Sequence, residues 1–163
     1  MKKTVLTFLI SCLALGAFAQ IDSTQQYYKS PFIPTFDLRK VPDSSIFINN
    51  MLQKNKPVIL VFFDPDCDHC QHATKELTDK IDQLKDVQIL MVTVMEFKRT
   101  QKFYKDYKIA DFPNITLTRD AGFDLPRFYK VSSIPDVYVY DKNGELRGHY
   151  KNKIPVEEIA ALF

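Results

Sequence analysis

A run of apolar residues from Val58 to Phe63 constrains the fold of this chain more than any other feature. The run follows Pro57, and a short polar turn joins it to a segment of helical periodicity from Cys67 to Leu84. An apolar run without polar alternation is typical of a strand that is buried on both faces. Such strands lie in parallel or mixed sheets covered by helices, so the sequence predicts an α/β fold.

The segments after this run continue the alternation of strands and helices. Asn143 and Gly144 form a strong hairpin signal between two short strand patterns. The order predicts a mixed central sheet flanked by helices. We expect helices over 43–52, 97–107, 122–129 and 156–163, and strands over 87–94, 115–117, 136–140 and 145–150.

Residues 1–19 have the pattern of an export signal. Lys2 and Lys3 precede an uncharged, mostly apolar stretch that ends in Ala-Phe-Ala at 17–19, and this stretch is too short for a permanent membrane span. We therefore predict a signal peptide over 1–19, a tether or extended arm over 20–34, and one domain over 35–163. Two alternatives stay open: lipidation at Cys12, which ends a lipobox-like Leu-Ile-Ser-Cys, and an uncleaved anchor. Cleavage and lipidation both place the domain outside the cytoplasm, in the periplasm or an equivalent compartment.

The charge balance argues against a general electrostatic partner. The chain carries 22 basic and 20 acidic residues, and two of the basic ones, Lys2 and Lys3, lie in the predicted signal. The mature chain therefore has 20 minus 20, or a net charge of about zero with neutral histidines. We expect no nucleic-acid partner and no electrostatic binding to anionic lipid.

Cys67 and Cys70 open the helix that follows the buried strand. Their spacing allows the two sulfur atoms to meet as a disulfide on the first helical turn. The unpaired N–H groups and positive dipole end of a helix N-terminus stabilise a thiolate at Cys67. Cys67 is therefore predicted to attack and Cys70 to resolve the mixed disulfide. Neighbouring charges tune this pair, because acids oppose a thiolate and a protonated histidine favours it. The candidate tuning residues are Asp66, Asp68 and His69.

The stretch from Phe62 to Cys70 resembles the active site of the thioredoxin superfamily, in the exported form related to thiol reductases of the ResA and TlpA kind. A second match is Val131-Ser-Ser-Ile-Pro135, which resembles that family's Ile-Pro segment beside the two cysteines. The resemblance covers roughly residues 35 to 163. It implies a thioredoxin-like three-layer fold, a cis peptide bond before Pro135, and a substrate chain held by Ile134 and Pro135 through strand-like pairing.

The resemblance also implies a protein-disulfide oxidoreductase that exchanges disulfides with protein substrates, here as a reductant. It implies no bound cofactor, no metal and a membrane thiol-relay reductase as the partner that keeps the pair reduced; we expect a monomer. Two positions depart from the family pattern: Asp66 replaces the usual aromatic residue before the first cysteine, and Val61 replaces a buried acid. Proton transfer at Cys70 then falls to another group, and Asp64 and Asp66 are the nearest candidates.

A metal-handling module is the main alternative function. Cys67 and Cys70 with a distant His149 form a candidate copper site, although a zinc site would need further ligands, and only His69, His72 and His149 are available. An inert structural disulfide is a second alternative. A peroxidase is disfavoured because no threonine lies just before the first cysteine. We interpret His72 and His149 as ordinary surface residues.

Overall fold

The computed structural model describes residues 31–163, which form a seven-stranded sheet. The strands are β1 (Asp37–Lys40), β2 (Ile46–Ile48), β3 (Val58–Phe62), β4 (Gln88–Thr93), β5 (Ile115–Arg119), β6 (Asp136–Tyr140) and β7 (Leu146–Lys151). Their order across the sheet is β2-β1-β5-β4-β3-β6-β7. Within it, β3 pairs with β4 and β4 with β5 in parallel, whereas the other neighbours are antiparallel. The predicted α/β class with a mixed sheet is confirmed.

Strand β3 lies between β4 and β6 in the interior of the sheet. All five of its residues are apolar and buried, which suits this position. Its last residue, Phe62, is opposite Val92 of β4 on one side and Asp136 of β6 on the other. Successive side chains enter different cores: Val61 packs in one cluster and Phe62 in the other. The prediction of a strand buried on both faces is therefore confirmed.

Helices cover both faces of the sheet and give the three predicted layers. They are α1 (Asp68–Asp79), α2 (Phe97–Asp106), α3 (Asp124–Tyr129) and α4 (Val156–Ala160), with 3-10 turns at Asn49–Met51, Ile81–Leu84 and Ile109–Asp111. On one face, α1, α2 and α4 bury Leu77, Phe103 and Ile159. On the other, α3 buries Leu125 and Tyr129 together with residues of β1 and β2. The hydrophobic effect thus fixes α1, and the cysteines at its start, against the sheet.

The predicted helix over 43–52 is wrong, and the strand β1 was missed. Residues 46–48 form β2, which pairs with β1, and only a 3-10 turn follows. Long-range contacts stabilise the strand conformation of this segment. The Phe47 ring stacks on Phe36 at 5.9 Å, and Asn49 Oδ1 accepts a hydrogen bond of 2.6 Å from the Phe36 N–H. A local pattern of apolar residues carries no information about such a partner strand.

Other boundaries differ by a few residues. The helix predicted over 67–84 ends at Asp79 and resumes as a 3-10 turn, and the C-terminal helix ends at Ala160. The predicted hairpin is present: Gly144 has φ +80°, its N–H donates to Asp141 O at 2.9 Å, and β6 and β7 pair on either side. Gly144 suits this turn because a residue without Cβ adopts positive φ readily.

The predicted signal peptide, the possible lipidation at Cys12 and most of the predicted arm lie outside the described residues. Residues 31–34, the last part of the predicted arm, are hydrogen-bonded to later parts of the chain: the Leu146 N–H donates to Pro31 O at 3.1 Å and the Asn49 side chain donates to Pro34 O at 2.7 Å. Within residues 31–163, no helix has the length and apolar content that a bilayer span requires.

Candidate active site

The turn after β3 places Cys67 at the start of α1. Asp64 builds this turn: its side-chain Oδ1 accepts a 2.8 Å hydrogen bond from the Asp66 N–H, and its carbonyl accepts one of 3.2 Å from the Cys67 N–H. Cys67 is the N-cap residue, with φ −84° and ψ 120°, and its carbonyl accepts the first helical hydrogen bond, from Gln71 N at 3.0 Å. Cys67 therefore lies at the positive end of the helix dipole, as the sequence predicts.

The two cysteines have unequal environments. Both are free thiols, but Cys67 is half-buried and Cys70 is only 1% exposed. Burial is the main reason that the pKa of Cys70 rises to about 12, and the hydrogen bond and charge of Cys67 and the Asp64 carboxylate raise it further. A hydrogen bond from the Asp64 N–H opposes this rise. The thiol that a substrate reaches is thus Cys67, and the thiol that holds its proton is Cys70.

The acidic residues around the pair have separate roles in the structure. Asp64 acts on Cys70 in two ways: its backbone N–H hydrogen-bonds the thiol and lowers the Cys70 pKa, and its negative charge raises that pKa by a smaller amount. Asp66 instead forms an ion pair with Arg99 of α2. Asp68 lies exposed in the first turn of α1. In the thioredoxin superfamily, which the sequence resembles, this strand carries a buried acid. Val61 occupies that position here and is fully buried in the apolar core.

Arg99 is a residue of this site that the sequence analysis missed. Its guanidinium pairs with Asp66 and lies 3.9 Å from Asp64 Oδ1, so one positive charge faces two of the carboxylates beside the cysteines. Arg99 and Asp66 side chains are 42% and 57% exposed, so the pair adds little to stability. The only signal in the sequence is the position of α2 after β4, since parallel strands end at the same edge of a sheet.

The histidines take different places. His69 and His72 are exposed on α1, so His72 is a surface residue as predicted. The surface interpretation of His149 is wrong: its side chain is 14% exposed, its Nε2 lies 2.6 Å from Oδ1 of the buried Asp136, and its ring stacks on Tyr138 at 4.2 Å. Within residues 31–163, no three His, Cys, Asp or Glu side chains gather in a group able to hold a metal.

The second matched segment lies beside the end of β3. The Ile134–Pro135 peptide bond is cis, as the resemblance implies. Pro135 comes directly before Asp136, whose register partner is Phe62, and the Pro135 carbonyl accepts a hydrogen bond of 2.7 Å from Asn152 N. Ile134 packs against the same core cluster as Cys67, and no hydrogen bond within residues 31–163 uses its backbone N–H or carbonyl.

Comparison with known proteins agrees with this geometry. A family model described as a thioredoxin-like domain matches residues 48–163. No curated protein sequence matches this one. Among solved structures, a secreted disulfide oxidoreductase of Mycobacterium tuberculosis, homologous to E. coli DsbE, is similar at 20% identity with a TM-score of 0.65, over 78% of this chain and 92% of that one.

Two further structures share the fold. StoA from Bacillus subtilis aligns at 17% identity with a TM-score of 0.59, over 81% of this chain and 98% of that one. A thiol peroxidase from Chromobacterium violaceum aligns at 15% identity with a TM-score of 0.67, over 80% of this chain and 82% of that one. Identities this low establish a common fold, and one fold supports several activities, so the reaction has to be argued from the site.

Proposed function

Because the chain belongs to the thioredoxin-like domain family, we propose that it is a protein thiol–disulfide oxidoreductase that acts outside the cytoplasm as a reductant. The observation that carries the proposal is the asymmetry of the pair: Cys67 is reachable at a helix N-terminus, whereas Cys70 is 1% exposed with a raised pKa. A structural disulfide has no need for one accessible and one protected thiol.

The proposed reaction transfers two electrons to the substrate. The Cys67 thiolate attacks one sulfur of a substrate disulfide, a mixed disulfide forms, and the second substrate sulfur leaves as a thiolate. Cys70 then loses its proton and attacks the Cys67 sulfur. The first substrate sulfur leaves as a thiolate, and a Cys67–Cys70 disulfide remains. A membrane thiol-relay reductase is the proposed source of the electrons that restore the dithiol.

The raised pKa of Cys70 makes its deprotonation the step that needs help. Asp64 is the better placed of the two acids considered, because it acts on Cys70 while Asp66 is paired with Arg99. We assign proton transfer from Cys70 to the Asp64 carboxylate, directly or through one water. Asp66, Asp68 and His69 are proposed to tune the Cys67 thiolate by charge.

Substrate binding is proposed at Ile134 and Pro135. The Ile134 backbone groups make no hydrogen bond within the described part of the chain, and the residue is half-buried two positions before Asp136, the register partner of Phe62. An extended substrate segment is able to pair with them as an added strand pairs with a sheet edge. This mode of recognition suits unfolded or partly folded protein substrates.

The direction of electron flow is proposed from the resemblance of the segment Phe62 to Cys70 to exported thiol reductases of the ResA and TlpA kind. We expect a reduction potential for the Cys67–Cys70 pair nearer to that of thioredoxin, about −270 mV, than to that of DsbA, about −120 mV.

An insulin-reduction assay tests the activity. The wild-type protein with a chemical reductant should precipitate insulin chains, Cys67→Ser should abolish this, and Cys70→Ser should accumulate a mixed disulfide with insulin. Equal activity in wild type and Cys67→Ser would refute the proposal. The potential of the pair, measured against glutathione by mass spectrometry, tests the direction; a value near −120 mV would contradict a reductant role.

Export is tested separately. We propose that the protein is found in the periplasm or an equivalent compartment with an N-terminus at Gln20, as the pattern at 17–19 predicts. Mass spectrometry of the purified protein from its native host should show that end. A diacylated Cys12 would instead establish lipidation, and an intact residue 1 in the cytoplasmic fraction would contradict export.

A further inference from the structure

An apolar pocket of about 150 Å³ lies at the edge of the sheet where β3 and β4 end. Its inner lining includes the buried side chain of Phe62, and its outer lining includes half-buried Met95 and exposed Phe123. Asp64 and Ile134 complete one side. Because Asp64 acts on Cys70 and Ile134 precedes the cis proline, the pocket is continuous with the proposed substrate site.

Hydrogen bonds anchor the segments of the outer lining to the end of β5 and to the residue after it. Arg119 Nε donates to Met95 O at 2.8 Å, and the buried carboxylate of Asp120 accepts the Leu125 N–H at 2.8 Å at the start of α3. Phe123 lies between these anchors with φ +60°, and its side chain is 48% exposed. A bulky residue with positive φ is uncommon, and strain of this kind together with exposed apolar surface is a mark of functional sites.

We propose that this pocket binds one large apolar side chain of the polypeptide that carries the target disulfide, and so makes the enzyme selective for cysteines in apolar sequence. The proposal rests on the function proposed above and specifies its substrate class. A cavity of about 150 Å³ lined by apolar side chains is large enough for a benzene ring, and so for the side chain of Phe, Leu or Met.

The position of the pocket gives substrate binding two components. The Ile134 backbone supplies main-chain pairing, which is independent of sequence, and the pocket selects a side chain that projects to one face of the added segment. Burial of a Phe or Leu side chain strengthens binding by about tenfold to a hundredfold relative to alanine. The chemical step is unchanged, so the selectivity should appear in KM more than in kcat.

Two matched peptides test the proposal. Each has the sequence Ser-X-Ser-Cys-Ser-X-Ser with blocked ends, with X either Phe or Ala, and carries its cysteine as a disulfide with thionitrobenzoate. Attack of Cys67 on the peptide sulfur forms the mixed disulfide and releases coloured thionitrobenzoate. For the purified full chain in its reduced form, mixed with peptide for a single turnover, we expect the second-order rate constant for the Phe peptide to exceed that for the Ala peptide at least about tenfold. The symmetrical disulfide DTNB, which has no peptide, serves as the normalising substrate.

The variant Phe123→Asn removes the aromatic ring from the outer lining and keeps a residue that tolerates positive φ. We expect it to lose the Phe/Ala ratio. Phe32→Asn is the matched control, because Phe32 is also exposed, at 53%, but lies against Gly144 at the distant hairpin. It should keep the ratio.

The outcomes separate this proposal from the proposed function. A Phe/Ala ratio near one in the wild type, or a ratio kept by Phe123→Asn, overturns the pocket while DTNB reduction by Cys67 still supports the oxidoreductase. No thionitrobenzoate release from any substrate overturns the proposed function itself. Sedimentation under the assay conditions tests whether a second copy of the chain occupies the pocket instead. A wild-type dimer that Phe123→Asn dissociates would assign the pocket to that second copy and overturn the proposal.

Discussion

The raised pKa of Cys70 is the most direct consequence of the site geometry. The pKa of Cys70 rises from 9.0 to about 12, chiefly because the thiol is buried. At pH 9 a pKa of 12 leaves a thiolate fraction of about one in a thousand, compared with about one half in the unfolded chain. The variant Cys67→Ala isolates Cys70, and burial, the largest cause of the shift, remains in it.

Alkylation by iodoacetamide, followed by mass spectrometry from pH 7 to 10.5, measures this thiolate. Burial also hinders the reagent, so the absolute rate does not decide the matter, whereas the shape of the pH profile does. In folded Cys67→Ala the rate at Cys70 should rise about tenfold per pH unit throughout the range, because the pKa lies above it. In guanidinium chloride the same rate should level off near pH 9. A folded profile that levels off near pH 9 would refute the assignment of Cys70 as the proton-holding thiol.

The same pKa predicts how the stability of the reduced protein depends on pH. The folded state holds the Cys70 proton between pH 9 and about 12, whereas the unfolded state has released it. The stabilisation is therefore complete below pH 9 and is lost as the pH rises toward 12, by about 1.4 kcal/mol per pH unit. Urea unfolding of reduced wild type at pH 8 and 10 should show this loss, and Cys70→Ala should not. Equal pH dependence of the two proteins would contradict the prediction.

Three substitutions test the framework around the pair. Leu77→Ala removes a fully buried side chain from α1 and should lower the free energy of unfolding by about 3 kcal/mol in urea; a loss below 1 kcal/mol would contradict its place in the core. Asp136→Ala leaves the His149 ring without its buried acceptor and should cost about 3 kcal/mol, whereas a neutral effect would mean that the pair adds nothing. Arg99→Ala removes the positive charge beside Asp66, so it should slow alkylation of Cys67 at pH 7 by about two- to tenfold with less than about 1 kcal/mol of stability lost. Arg99→Lys should restore the rate, and an unchanged rate in Arg99→Ala would exclude an electrostatic role.

The parts of the fold that the sequence predicted are those whose signal is local. The apolar run of β3 has no polar position, so it has one stable environment, a sheet covered on both faces. Gly144 marked the β6–β7 turn because the turn needs positive φ. The cysteine pair was likewise readable, since a spacing of three residues at a helix start fixes their relation whatever the tertiary structure is.

The features that could not be predicted from the sequence depend on contacts between residues far apart in the chain. Residues 46–48 became a strand because β1 offers a pairing edge, and Phe36 stacks on Phe47. Arg99 joined the site because α2 ends up beside the turn after β3, which places it against Asp66, a residue 33 positions away in sequence. His149 is mostly buried because it contacts Asp136, and the pairing register of β6 and β7 brings these two residues together. In each case the partner is set by packing, and a local pattern does not contain it.

The apolar residue Val61 and the acid Asp64 are related, because the core has no acid at position 61 while the turn after β3 has one at position 64. Within the core an acid would need a partner or would remain protonated, and Val61 avoids both by packing as an apolar side chain. Asp64 instead lies in the turn, where its side chain is 20% exposed and accepts the Asp66 N–H while its charge acts on Cys70. If Asp64 accepts the Cys70 proton as proposed, its partial exposure gives that proton a route to water. Asp64→Asn would keep the acceptor of the turn and remove only the charge, and therefore it, unlike Asp64→Ala, separates the shape of the turn from the chemistry of Cys70.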